Sequence, residues 1–332
     1  MSASRTIDVH AHYVPASYRA ALLDNGHGEP DGFPQIPDWS AEEHVAAMDR
    51  LGIATSLLSI SSPGVHLADE PAARDLAREV NEAGRRAVVD HPGRFGLFAS
   101  LPLPAVDAAI AEIAHCCARL DVAGFTLLTN IGGTYLGDPA FQPVFRELDR
   151  RGARLFIHPT SPACWEHTSL GRPRPMLEFF FDTTRAVVDL VLNGTVARHP
   201  GVEFIIPHAG ATLPMVADRV SVFSRLLGVD PAVDVLRDLG RLTSTSPASR
   251  FPASSTRSPR SSTCTTGATT PSPRSSPPPW RVNASPRRAT RRVRCWTRSA
   301  PTPIGSSPRS LTGADALSHT TGTHLQHRLE LG

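Results

Sequence analysis

The chain has 332 residues, 40% of them hydrophobic and 20% charged, which is enough apolar material for a sizeable core. No apolar run reaches the roughly 18 residues of a membrane span, and residues 1–5 lack the apolar region of a signal peptide. Five cysteines in so long a chain, Cys116 and Cys117 adjacent, do not make a disulfide framework. These features exclude a membrane protein or a small disulfide-stapled one, and the expectation is a cytoplasmic protein. The net charge of +3 averages two unlike parts. Of 34 basic and 31 acidic residues, 241–332 hold 14 arginines and two acids, Asp315 and Glu330, which leaves 20 basic and 29 acidic residues in 1–240. The front is therefore acidic and the back strongly basic. Every basic residue is arginine, as a GC-rich gene would give.

In chain order, short apolar runs at 6–12, 54–60, 95–101, 124–130, 154–158 and 203–208 predict strands. Amphipathic stretches at 41–51, 70–91, 105–120, 139–151, 180–198 and 213–227 predict the helices between them. The first helix opens with a capping box, in which Ser40 and Glu43 would satisfy each other's orphan amides. Six alternations of strand and helix predict a parallel sheet with helices outside, either a barrel or a doubly wound sheet. After Leu242 the pattern stops. Residues 243–310 are rich in Ser, Thr, Pro and Arg and carry no acid, which taken at face value predicts a disordered basic tail. The boundary divides a domain over 1–242 from a tail over 243–332.

Three predicted strands end in histidine. Asp8-Val9-His10-Ala11-His12 closes the first, and strict alternation puts Asp8, His10 and His12 on one face. His158 and His208 close two others. Packing alone would favour apolar residues at those ends. In a barrel all parallel strands finish on the face where active sites lie, so the four histidines would converge and could share a divalent ion. The remaining histidines of the front part lie in loops or helical patterns and read as surface or core positions, His44 excepted.

The segments D-V-H-A-H-Y-V-P (8–15), W-S-A-E-E-H-V-A-A-M-D-R-L-G-I (39–53), L-S-I-S-S-P-G (58–64), L-F-I-H-P (155–159) and R-H-P-G-V-E-F-I-I-P-H-A-G (198–210) resemble a known group. It is the amidohydrolase-related family that includes aminocarboxymuconate-semialdehyde, γ-resorcylate and 6-methylsalicylate decarboxylases. The resemblance covers about residues 5–240. It implies a (β/α)8 TIM-like barrel, here incomplete with six strands. It also implies metal ligands at His10, His12 and His158, with Zn expected and Mn as the alternative, and a catalytic histidine at His208. His44 takes the place where the aminocarboxymuconate enzymes look to carry a substrate-gripping arginine, so a monocarboxylate substrate is expected. The S-S-P-G segment is most like the 6-methylsalicylate branch, and it makes Ser62 a candidate substrate contact. The family's fourth ligand is an Asp in a G-x-D-x-P segment, whereas no carboxylate stands between Asp238 and Asp315 here.

The genetic code offers a reason. When the last base of each codon is joined to the first two of the next, Thr243–Ser249 permits Y-F-D-L-A-G-F, a good seventh strand. The same shift over Cys264–Pro273 permits a G-S-D-Y-P segment that contains the missing Asp, and over Pro301–Pro308 it permits a run ending R-L-F-P. A one-base slip near codon 242 explains all three. The expected function is therefore a metal-dependent nonoxidative decarboxylase of an aromatic or unsaturated carboxylic acid, impaired in this chain, whose intact parent is a homo-oligomer. The rivals are a metal-dependent lactone or amide hydrolase and a nucleic-acid-binding protein acting through arginine clusters such as Arg287-Arg288.

Overall fold

The computed structural model describes residues 6–229 and 233–245. These lie in the first of two compact units, Met1–Thr297; the second, Arg298–Gly332, falls outside the described residues. So does most of the basic tail, with its arginine clusters.

Seven strands form one sheet: β1 (Thr6–His12), β2 (Ile53–Ser59), β3 (Phe95–Ser100), β4 (Gly124–Leu128), β5 (Arg154–His158), β6 (Glu203–Ile206) and β7 (Thr243–Ser244). They follow one another in sequence order, each parallel to the next. Each parallel step needs a crossover, which the amphipathic helices supply. Among the described residues the result is the arc of a TIM-like barrel, seven strands of eight. The expected six strands become seven because Thr243 and Ser244 pair with Ile205 and Ile206, carrying the barrel two residues beyond the predicted boundary at 242. Among the described residues, no helix is long and apolar enough to cross a membrane.

The strands bury both faces, as a parallel sheet requires. Inside the arc, Leu57, Phe98, Phe156 and Ile205 form a small cluster with Ile7 and Val9 packed against it. Outside, Leu58, Leu97, Phe125, Leu155 and Ile206 join the larger core shared with the helices. Gly84 permits the close approach of the helix Glu70–Asp90 to the sheet, since a Cβ there would come within 2.6 Å of Leu97 and 2.8 Å of the Tyr13 hydroxyl. The helix Ala41–Leu51 starts where expected: Ser40 Oγ accepts from the Glu43 amide at 3.2 Å. It stops at Gly52, which takes the left-handed conformation with φ 67°.

Of the described helices of five residues or more, two escaped prediction. Ala16–Asp24 buries only Tyr18 and Leu22, too narrow a stripe to register as a period. Val235–Leu239 is a single turn and a half, capped by Asp234. A third difference matters for the site. The pairing of β1 with β2 slips between Asp8 and Ala11, so the strand does not alternate strictly. Ile7 and Val9 face the interior cluster, while the Asp8 carboxylate accepts the His10 amide at 3.0 Å instead of joining the histidines.

Phe98 is fully buried and stacks on Phe156 with ring centroids 5.7 Å apart, directly in the interior cluster. Truncating it by Phe98→Ala leaves a cavity that the arc cannot close. A loss of about 3–5 kcal/mol in unfolding free energy is expected by urea denaturation. A loss under about 1 kcal/mol would mean that these side chains do not form the packed interior described.

Candidate metal centre

The slip in β1 turns both His10 and His12 toward the end of β5, where His158 stands. Ligand atoms of these three residues all lie within 4.8 Å of one another. Their rings meet edge to face: centroids are 4.9 Å apart for His10 and His12, 5.2 Å for His10 and His158, and 4.7 Å for His12 and His158. Phe156, one layer deeper, sits 5.0 Å from the His10 ring and closes the floor.

Carbonyl oxygens fix the tautomers. His12 Nδ1 donates to Ser59 O at 3.2 Å, and His158 Nδ1 donates to Pro159 O at 2.6 Å. A carbonyl can only accept, and the Ser59 hydroxyl, also 3.2 Å from His12 Nδ1, donates its own proton to Ala11 O at 3.3 Å, so each ring carries its proton on Nδ1 and presents a lone pair at Nε2. Those two Nε2 atoms lie 3.1 Å apart. Two acceptors at that distance repel unless a proton or a cation lies between them. Protonation is opposed: burial, with the nearby His12 and His208, pushes the His10 pKa down to about 2. Burial pushes His12 down to about 4 despite its bond to Ser59 O and the charge of Asp8. Burial and its two neighbours hold His158 well below the ordinary imidazole value. Three neutral imidazoles with converging lone pairs are the donor chemistry of a borderline-soft divalent ion, and the residues fit one.

His208 follows β6, where Pro207 ends the strand and His208–Gly210 makes a tight turn. Its ring lies 5.0 Å from His10 and stacks on Phe180, also at 5.0 Å. Its Nδ1 is buried and has no partner among the described residues. Burial lowers its pKa. The backbone here is costly: His208, Ala209 and Ala211 all have φ between 52° and 57°, the left-handed region that side chains with a Cβ avoid. At about 1 kcal/mol or more each, such strain concentrates where geometry serves chemistry. Thus the structure brings together all four histidines expected to converge.

The other two expected residues stand apart from that group. His44 lies against Phe95, with centroids 5.3 Å apart, and accepts at Nδ1 from Trp39 Nε1–H at 3.0 Å. Its pKa is lowered by burial. Ser62 is buried and its hydroxyl meets that of Thr160 at 2.6 Å. Thr160 in turn lines a cavity of about 390 Å³ at the C-terminal ends of β2 to β5, which also touches Val65, Ser100, Thr126, Asn130 and Trp165. His66 lines this cavity but His10, His12, His158 and His208 do not, so it flanks the candidate metal centre rather than containing it. Among the described residues, the group whose ligand atoms could hold one ion is His10, His12 and His158, with no carboxylate.

Sequence reasoning missed one polar centre. Asp182, on the helix Glu178–Leu192, is fully buried and accepts from Thr129, Asn130, Tyr135 and Arg185. Its signal was present: with Glu178 it is one of two acids on the buried side of a helix that also carries Phe179, Thr183, Ala186, Val187 and Leu190, where apolar residues belong.

Comparison with known proteins agrees with the fold. The family model described as Amidohydrolase matches residues 7–259. A decarboxylase of Aspergillus niger is 39% identical over 226 residues, 65% of this chain and 61% of that protein. A 6-methylsalicylic acid decarboxylase of Penicillium expansum is 37% identical over 225 residues, 67% of this chain and 69% of that one. The crystal structure of an amidohydrolase II, 33% identical, superimposes with a TM-score of 0.67 over 72% of this chain and 77% of its own. The chain therefore spans less than two thirds of the length of the Aspergillus relative. With the barrel, the histidine-tipped strands and a family match over most of its length, the chain belongs to the amidohydrolase family.

Proposed function

We propose that this site belongs to a metal-dependent, nonoxidative decarboxylase of an aromatic or unsaturated carboxylic acid, of the 6-methylsalicylate kind. The observation that carries it is the opposed pair of lone pairs on His12 and His158, with His10 beside them. Relatives named as decarboxylases support the reaction class. His10, His12 and His158 would hold the ion, Zn first by its liking for imidazole and Mn as the alternative. When bound, the ion would grip the carboxylate and a neighbouring hydroxyl and polarise them.

The protein's own part is placement and proton transfer. Decarboxylation adds a proton to the carbon that bears the carboxylate and breaks the bond to it; the electron pair of that bond stays with the substrate, and carbon dioxide leaves. His208 is the group placed to carry that proton, 5.0 Å from His10 across the ring faces. Burial makes its imidazolium a stronger acid than an exposed one, so a proton loaded there is readily given up. Phe180 keeps the ring upright by stacking. His44 and Ser62 are proposed to select substrate, Ser62 through Thr160 at the flanking cavity. A homo-oligomeric parent accords with the apolar side chains that the helix Leu213–Leu226 leaves exposed, Met215 and Leu226 foremost.

Among the described residues the shell has no carboxylate, and we attribute that to a one-base slip near codon 242, with 1–242 as the surviving catalytic part and 243–332 out of frame. Genomic DNA read across codons 235–275 would show the alternative open frame. This chain should release little or no carbon dioxide from hydroxybenzoates, and one rebuilt in the restored frame should release it. Vigorous metal-dependent release by the present chain would overturn the slip, while ring opening of lactones without carbon dioxide would favour the hydrolase.

Acid should also destabilise the metal-free protein. An unfolded histidine takes up its proton near pH 6.5, whereas folded His10 and His12 resist until about 2 and about 4. Between those values the unfolded chain binds more protons, so stability present above pH 6.5 is lost as pH falls toward 4. With chelator present, His10→Asn should lose less unfolding free energy than wild type between pH 7 and 4.5, by on the order of 2 kcal/mol. Parallel pH profiles would contradict the buried, neutral cluster.

A further inference from the structure

The buried Asp182 lies outside the histidine cluster, yet its bonds lead straight to it. Its carboxylate takes the Thr129 hydroxyl proton, and Asn130 Nδ2 donates to the same oxygen at 2.9 Å. Tyr135 and Arg185 donate to its other oxygen at 2.5 and 3.1 Å. Thr129, itself fully buried, then brackets the end of β5 from both sides. Its amide donates to His158 O at 2.9 Å, and its Oγ accepts the Thr160 amide at 3.1 Å. The two peptides so held are those that flank Pro159, whose carbonyl receives the His158 Nδ1 proton. A hydroxyl has one proton. Because Asp182 takes it, the Thr129 oxygen is left as a pure acceptor toward Thr160, and the bracket has a defined sense.

We propose that Asp182 is a positioning residue that acts through Thr129 to hold the His158–Thr160 turn, fixing the His158 proton on Nδ1 and aiming Nε2 into the cluster. The consequence for metal affinity rests on the reading of His158 as a ligand; the tautomer does not. Removing the carboxylate leaves the buried Thr129 hydroxyl proton without its acceptor, the hydroxyl is no longer fixed in one rotation, and the hold on the Thr160 amide loosens. Removing the Thr129 hydroxyl has the same result from the other end, so the two residues act as one device. Outer partners that orient a ligating histidine contribute to metal binding without touching the ion.

The test uses the full chain in two measurements. Nitrogen-15 spectra of the metal-free, histidine-labelled protein report where His158 keeps its proton, with the signal assigned by its loss in His158→Asn. Wild type and Thr129→Ser should show Nδ1–H, and Thr129→Val a mixture of tautomers. Competition with a coloured chelator reports zinc affinity. Thr129→Val and Asp182→Asn should each weaken it roughly 10–100-fold, and the double variant should be no worse than the weaker single. Tyr135→Phe, which removes a bond off the route to Thr129, should stay within about threefold. Circular dichroism confirms that each variant is folded. A wild-type His158 protonated on Nε2 overturns the proposal even if every variant unfolds, and so does a folded Thr129→Val with wild-type tautomer and affinity. Zinc binding no tighter in wild type than in His10→Ala/His12→Ala would instead sink the metal reading, while the tautomer still decides the clamp.

Discussion

Two imidazole nitrogens 3.1 Å apart, both with lone pairs and neither able to take a proton near neutral pH, are the constraint around which this structure is arranged. Left alone they would separate, because a buried acceptor facing an acceptor loses the hydrogen bond each would make in water. They are held by the carbonyls of Ser59, which ends β2, and Pro159, which directly follows β5. Those strands are fixed in register by the barrel, and the barrel is filled beneath them by Phe98 and Phe156. Packing thus forces together groups whose electrostatics oppose it, and a bound cation would resolve the conflict.

The same logic explains the irregularities. A strictly pleated β1 would place Asp8 beside the histidines, and a carboxylate there would raise their pKa values and draw protons into the site. The slip in β1 sends Asp8 to its own backbone and brings His10 and His12 inward together. The left-handed run at His208–Ala211 similarly spends conformational energy to bring a fourth ring beside His10. Asp182, remote in sequence from both ends of the device it supports, disciplines the third strand end. Each of the three elements that deliver a histidine therefore carries a local departure from regular geometry or a dedicated clamp.

Much of this was legible in the residues. The strand ends at His12 and His158 fall where period and turn signals put them, because strongly apolar runs bounded by polar breaks leave little choice. The four converging histidines were readable from position alone, since parallel strands share one end. What could not be read was anything that depends on pairing: the slip in β1 arises from its register with β2, which no single strand encodes. Asp182 hid for the opposite reason. An acid in an apolar stripe looks like noise until its four donors, spread from Thr129 to Arg185, are seen around it. The seventh strand was missed as the chain stands because Thr243 and Ser244 lack any apolar signature and pair only at the edge.

Three histidines of this chain converge as the proposed ligands of one divalent ion. X-ray absorption on the protein reconstituted with a single equivalent of zinc tests this most directly. The expected spectrum shows a light-atom shell at about 2.0–2.1 Å whose outer scattering fits three imidazoles, reduced to two in His12→Ala. A shell with sulfur at about 2.3 Å, or one without imidazole scattering, would contradict it.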